Sequence, residues 1–165
     1  MKSVQFVLSM NVMNSAVQFY QLKSTPLERA LPKLVEKAYL AGCRVQLVLG
    51  SEERTQYVND VLWTYSQSMF LPHGSAKDGN AERQPVYLSA QLETPPNKAD
   101  VLFVTDGSTP PEGAYARVLD MFDGNDEAAL KAARGRWKAY KDQGCELSYY
   151  KQNEAGAWES VSAAA

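Results

Sequence analysis

The residues with the clearest chemical potential in this chain fall into two groups. The first is a lone histidine, His73, in the stretch MFLPHG (69–74), behind Pro72 and in front of Gly74. Proline and glycine on either side mark a turn. An imidazole there could act as a general base, ligate a metal, or brace a surface made for another protein. The first two roles need companions. There is no GxSxG nucleophile elbow, and neither Cys43 nor Cys145 lies in a local catalytic signature. A single histidine with no carboxylate cluster beside it cannot complete a typical zinc site. Asp123 and Asp126 read more simply as turn and helix-start residues. A structural or interface role for His73 is therefore the stronger reading, with catalysis and metal ligation the weaker alternatives. No metal and no cofactor is expected.

The second group is LKAARGRWKAYKDQG (130–144), where Lys131, Arg134, Arg136, Lys138 and Lys141 occur before any acid, the first being Asp142. At 100° per residue, Lys131, Arg134, Lys138 and Lys141 fall within about 80° of one another on a helix. Trp137 lies at the edge of that stripe, Ala133 and Tyr140 turn toward a core, and Arg136 projects elsewhere. One reading is a solvated helix face whose cations favour the negative end of the helix dipole. The other is an anion site. An aromatic beside several cations could stack bases while neutralising phosphates, or hold an acidic peptide that ends in a hydrophobic residue. Four cations on one helix are a small footprint for nucleic acid and suit a short acidic peptide better.

The bulk properties bound these options. A chain of 165 residues with 45% hydrophobic and 22% charged residues is the size and composition of one globular domain. A net charge of -2 argues against coating nucleic acid over the whole surface, though not against a local basic patch. No apolar run approaches the ~20 residues that span a bilayer, so no membrane association is expected. The opening MKSVQFVLSMNVMNS is interrupted by Gln5, Ser9 and Asn11 before a continuous apolar signal could form. Two distant cysteines outside any CxxC spacing read as reduced thiols, and the expected location is the cytoplasm.

The elements that must position these residues alternate. Strands are expected at 17–22 (VQFYQL), 44–50 (RVQLVLG), 86–90 (VYLSA), 100–107 (DVLFVTDG) and in CELSYYK. Thr25, Pro26 and Glu28 read as a cap, first turn and capping box for a helix closed by Gly42, with Pro32 predicting a kink or a later start. Ser51 caps a second helix carrying Tyr57, Val58, Val61, Leu62 and Tyr65. A helix is expected over Tyr115, Val118, Leu119 and Phe122, and a last one from Glu127 to Gln143. This predicts a three-layer α/β/α fold around a mostly parallel sheet of about five strands, Rossmann-like in outline. It lacks the nucleotide-binding motif: neither GxxxxGK[ST] nor GxGxxG after a strand is present. TDGSTPPEG follows a strand where such sheets bind ligands, but fold analogy carries little weight on its own. The expected organisation is an N-terminal extension of undetermined state (1–15), an α/β domain (16–151) and a flexible C-terminal tail (152–165).

FYQL, ALPKLVEKAYLAGCRV, LWTYSQSMFLPHG, the QPV strand start, ADVLFVTDG and ARGRWKAY, taken together, resemble the chi subunit family of bacterial DNA polymerase III holoenzyme over Phe19 to Lys151. FLPHG followed by a polar loop and QPV, combined with RxRWKAY, is the specific part. The resemblance implies a non-catalytic accessory subunit that joins the clamp-loader assembly to single-stranded-DNA-binding protein by gripping that protein's acidic C-terminal tail. Lys131, Arg134, Trp137 and Lys138 match the family's basic-aromatic helix, and Lys141 joins them from the helical wheel. The FxPH loop implies a hydrophobic contact surface of Trp63, Phe70, Leu71 and Pro72 for the psi subunit or another clamp-loader protein, with His73 supporting the loop. Nucleic acid would then be contacted indirectly. Two other readings stay open: a direct single-stranded nucleic-acid binder using the same helix, and a nucleotide-dependent enzyme.

Overall fold

The structure is a computed structural model, and it describes residues 15–161. The expected N-terminal extension lies almost wholly outside those residues. Eight strands form one sheet in the order β3-β4-β2-β5-β6-β1-β7-β8. They are β1 (Ala16–Leu22), β2 (Val45–Val48), β3 (His73–Ser75), β4 (Val86–Ser89), β5 (Val101–Val104), β6 (Arg117–Asp123), β7 (Glu146–Gln152) and β8 (Trp158–Val161). Every pairing is parallel except β7 with β8. Three helices cover the sheet: α1 (Leu27–Leu40), α2 (Glu52–Thr64) and α3 (Glu127–Asp142).

The two sides of β1 show how the layers are built. Tyr20 and Leu22 point to a core shared with Leu31 and Val35 of α1 and with Val58 and Leu62 of α2. Val17 and Phe19 point the other way, to Ala133 and Tyr140 of α3. Period-two alternation thus places α1 and α2 on one face and α3 on the other. The three-layer α/β/α architecture and the parallel central sheet are as expected; the strand count is not.

Three additional strands account for the difference. The segment expected to be a helix around Val118, Leu119 and Phe122 is β6, inserted between β5 and β1. Its five central residues are buried, and a short apolar run covered on both faces has no period that separates strand from helix. The segment from His73 to Ser75, expected as loop, is the edge strand β3. Residues 152–161, expected to begin a flexible tail, close the opposite edge as the end of β7 and β8. Trp158 packs edge-on against Tyr20, with ring centroids 5.0 Å apart.

Gln152 explains a further departure. Its Oε1 accepts from the backbone N–H groups of Lys23, Ser24 and Thr25 at 3.0, 2.9 and 3.1 Å, and its Nε2 donates to the Thr25 hydroxyl at 2.7 Å. Thr25 is therefore engaged by the last long strand and does not cap α1. Pro26 occupies that position with no side-chain cap. Pro32 lies inside α1, which continues to Leu40. Ser51 caps α2 as expected, accepting from Arg54 N at 3.1 Å.

Candidate partner-binding site

Asp126 sets the start of α3, its Oδ1 accepting from Ala128 N at 2.9 Å and Ala129 N at 3.3 Å. Burial of Ala133 and Tyr140 then fixes the rotation of the helix on the sheet. The opposite side carries Lys131, Arg134, Lys138 and Lys141, all exposed. Among the described residues the only ion pairs are Lys23 with Glu154 and Arg136 with Asp120, so none of these four cations is neutralised by a carboxylate.

Trp137 is half-buried at the margin of this stripe. Its ring meets Phe19 at 5.4 Å and Tyr149 of β7 at 5.7 Å, both edge-on. Burial raises the pKa of the Tyr149 hydroxyl, and the positive charge of Arg134 opposes that rise. Tyr149 also donates to Gln21 Oε1. The seam between α3 and β7 therefore has an aromatic floor of Trp137 and Tyr149 with Arg134 beside it. Tyr149 did not stand out in the sequence. Period-two alternation in CELSYYK pairs it with Leu147 on the α3 face, which is the signal that could have found it.

Arg136 lies on another side of the helix, as its spacing indicates, but it does not point freely into solvent. Its Nε donates to Asp120 Oδ2 at 2.6 Å and its Nη2 to Asp120 Oδ1 at 2.9 Å, with side-chain exposures of 13% and 1%. Burial pushes the Asp120 carboxyl above its ordinary range, against the pull of the Arg136 guanidinium. The pair fastens α3 to β6. Asp120 was hidden in a stretch expected to be helical.

The second group of expected residues divides. Trp63 and Phe70 are 56% and 64% exposed and lie against each other with centroids 5.7 Å apart. Pro72 is half-buried. Leu71, expected on the same contact surface, is 1% exposed and belongs to the core under α2. Alternation along an extended segment turns Leu71 inward where Phe70 turns outward.

His73 is 5% exposed. Its Nδ1 lies 2.6 Å from the Leu71 carbonyl oxygen and its Nε2 3.0 Å from that of Asn59. The Trp63 ring packs on it at 4.6 Å. Both ring nitrogens thus face backbone carbonyl oxygens, one of the loop and one of α2, and a neutral ring donates to one of them. The adjoining turn is held by Asp78, whose carboxylate accepts from Ser75 N at 2.8 Å and Asn59 Nδ2 at 3.1 Å. The backbone bond from Ser75 is the main cause of a lowered Asp78 pKa. Among the described residues no three His, Cys, Asp or Glu side chains gather as a metal site would require.

The fold and these surfaces define a class: a three-layer α/β/α protein with a basic-aromatic helix on one face of its sheet and an exposed aromatic pair toward the far edge. The family model described as DNA polymerase III chi subunit, HolC, matches residues 13–148, and the chain belongs to that family. It is similar to the DNA polymerase III subunit chi of Pseudomonas aeruginosa, 30% identical over 137 residues that cover 79% of this chain and 92% of the relative. It also resembles the probable subunit chi of Rickettsia prowazekii, 24% identical over 144 residues (81% and 84%), and that of Escherichia coli, 24% over 127 residues (74% and 83%). Membership identifies a DNA polymerase III subunit, which acts within an assembly in DNA replication.

Proposed function

We propose that the chain is a non-catalytic, cytoplasmic accessory subunit whose α3 surface holds the acidic C-terminal tail of single-stranded-DNA-binding protein, linking it to the clamp-loader assembly. The observation that carries this reading is the set of four exposed cations without ion-pair partners among the described residues, beside the half-buried Trp137. Cations of this kind attract a string of carboxylates, and an aromatic floor gives a terminal hydrophobic side chain somewhere to pack. No helix among the described residues is long and apolar enough to cross a membrane, which agrees with an assembly in the aqueous phase. The Trp63–Phe70 pair is a separate contact for psi or another clamp-loader protein, because two large exposed rings in contact are costly to leave in water.

The test is a titration of a fluorescent peptide carrying the last residues of that tail. Arg134→Ala and Trp137→Ala are each expected to weaken binding by about ten-fold or more, roughly 1–3 kcal/mol. Lys138→Ala acts more mildly and chiefly at low salt, as for an exposed charge. Unchanged affinity in all three folded variants rejects the site. Arg136→Ala is no control for diffuse charge, since it removes a buried ion-pair partner; Lys98→Ala, an exposed cation outside α3, serves instead.

A further inference from the structure

We propose that the Asp106–Gly107 bond, at the carboxyl end of β5, is a site of spontaneous covalent modification that closes to a succinimide and reopens as isoaspartate. The chain holds three Asp–Gly pairs, Asp78–Gly79, Asp106–Gly107 and Asp123–Gly124. Aspartate followed by glycine suits this reaction, because glycine has no Cβ to hinder the attack of its nitrogen on the aspartate Cγ. The fold treats the three pairs differently.

In two of them the glycine nitrogen is occupied. Gly79 N donates to the Ala76 carbonyl oxygen at 3.3 Å, and the Asp78 carboxylate is held by Ser75 N, Ser75 Oγ and Asn59 Nδ2. Gly124 N donates to the Leu22 carbonyl oxygen at 2.8 Å. Gly124 is also wedged in place, since an added Cβ would lie 2.5 Å from Gln21 Cγ and 2.6 Å from the Leu22 carbonyl oxygen. Asp106 and Gly107 are both exposed, and among the described residues Gly107 N meets no protein acceptor. Asp106 Oδ1 accepts from Ser108 N at 3.0 Å, which curls the carboxyl back over the Gly107 peptide and brings Cγ toward its nitrogen. Nucleophile and carbonyl carbon are thus held as neighbours in a surface loop.

Water is the only other reactant. Gly107 N bonds to Asp106 Cγ while one carboxyl oxygen leaves as water, taking the amide proton and the carboxyl proton with it. Water then adds to the main-chain carbonyl carbon of Asp106 and breaks its bond to Gly107 N. The chain now runs through Cβ and Cγ, the α-carboxylate is free, and mass and oxidation state are unchanged. The main chain gains one atom where it has little slack: a Cβ on Gly107 would sit 3.2 Å from Arg136 Nη1. Arg136 is the residue that ties α3 to Asp120, so isomerisation loosens the seat of α3.

The full chain, aged in neutral buffer and digested with trypsin, tests the proposal. The three pairs fall in separate peptides, residues 78–83, 99–117 and 118–131. Isoaspartate in each is read by electron-transfer fragmentation and by labelling with an isoaspartyl methyltransferase. It is expected to accumulate at Asp106 about five-fold faster or more than at Asp78 or Asp123. In urea-unfolded chain the three rates should draw together. The melting temperature of the aged protein should fall in step with the modification. Asp106→Glu, whose longer side chain closes a ring poorly, should keep its melting temperature on ageing. An unmodified Asp106 in the folded protein, or isoaspartate at Asp78 or Asp123 as fast as at Asp106, overturns the site. The same ranking in urea overturns the selection by the fold, and an equal fall in Asp106→Glu overturns the effect on α3.

Discussion

Phe70 and Leu71 are neighbours in sequence with opposite fates. Phe70 is 64% exposed and Leu71 1% exposed. Leu71→Ala is expected to cost about 2–5 kcal/mol of stability, because it removes a packed side chain and leaves a cavity. Phe70→Ala should change stability by no more than about 0.5 kcal/mol while weakening the partner that covers Trp63. Thermal unfolding of the two variants checks this directly, and a large fall in melting temperature for Phe70→Ala rejects its reading as an interface anchor. The motif FLPH marks the place, yet it does not say which of its side chains faces out. Types and spacing were enough to single out Arg134, Trp137 and Lys138, because a helical wheel needs no tertiary information. Alternation along CELSYYK puts Tyr149 on the face of Leu147, but which helix covers that face, and that Asp120 lies beside it, is set only by strand pairing.

At the scale of elements, the attachment of α3 to the sheet rests on apolar packing of Ala133 and Tyr140 and on one polar bolt, the bidentate Arg136–Asp120 pair. Removing one partner leaves a buried charge without compensation, so Arg136→Ala is expected to destabilise the protein by about 3–5 kcal/mol. Arg136→Met combined with Asp120→Leu, which removes both charges and keeps volume, should recover most of that loss. Chemical denaturation of the single and double variants checks the pair, and equal losses in both reject it. The elements with a clear period or cap were legible: α1, α2, α3, β1, β2, β4, β5 and β7 all fall where the residues indicated. β6 was not, since burial on both faces erases periodicity. The β8 edge was not either. Its sequence WESV is only four residues long, two of them polar, and it becomes a strand because β7 offers an unpaired edge.

Across the whole molecule, α3 packs against β6 and β7, whereas the Trp63–Phe70 pair sits by the β3 edge. Six strand spacings separate β3 from β7, about 29 Å at ~4.8 Å each. Sites that far apart with no shared partners behave additively. Phe70→Ala should therefore leave tail-peptide affinity within about two-fold, and Phe70→Ala with Arg134→Ala should show the sum of the single effects in a double-mutant cycle. A coupling energy above about 0.5 kcal/mol would contradict two independent surfaces on a rigid sheet. The sequence by itself determined the alternating α/β plan, the absence of a phosphate-binding loop and the cationic face of α3, because each depends on residues close together in the chain. Only the tertiary structure decided the order of the eight strands, the burial of Leu71, the Asp120–Arg136 pair and the closing of the sheet by β8. Each of those depends on which segments meet, from Gln152 and Trp158 across one turn to Ala16 and Arg117 on strands a hundred residues apart, and pairing energies between segments leave no periodic mark on either one.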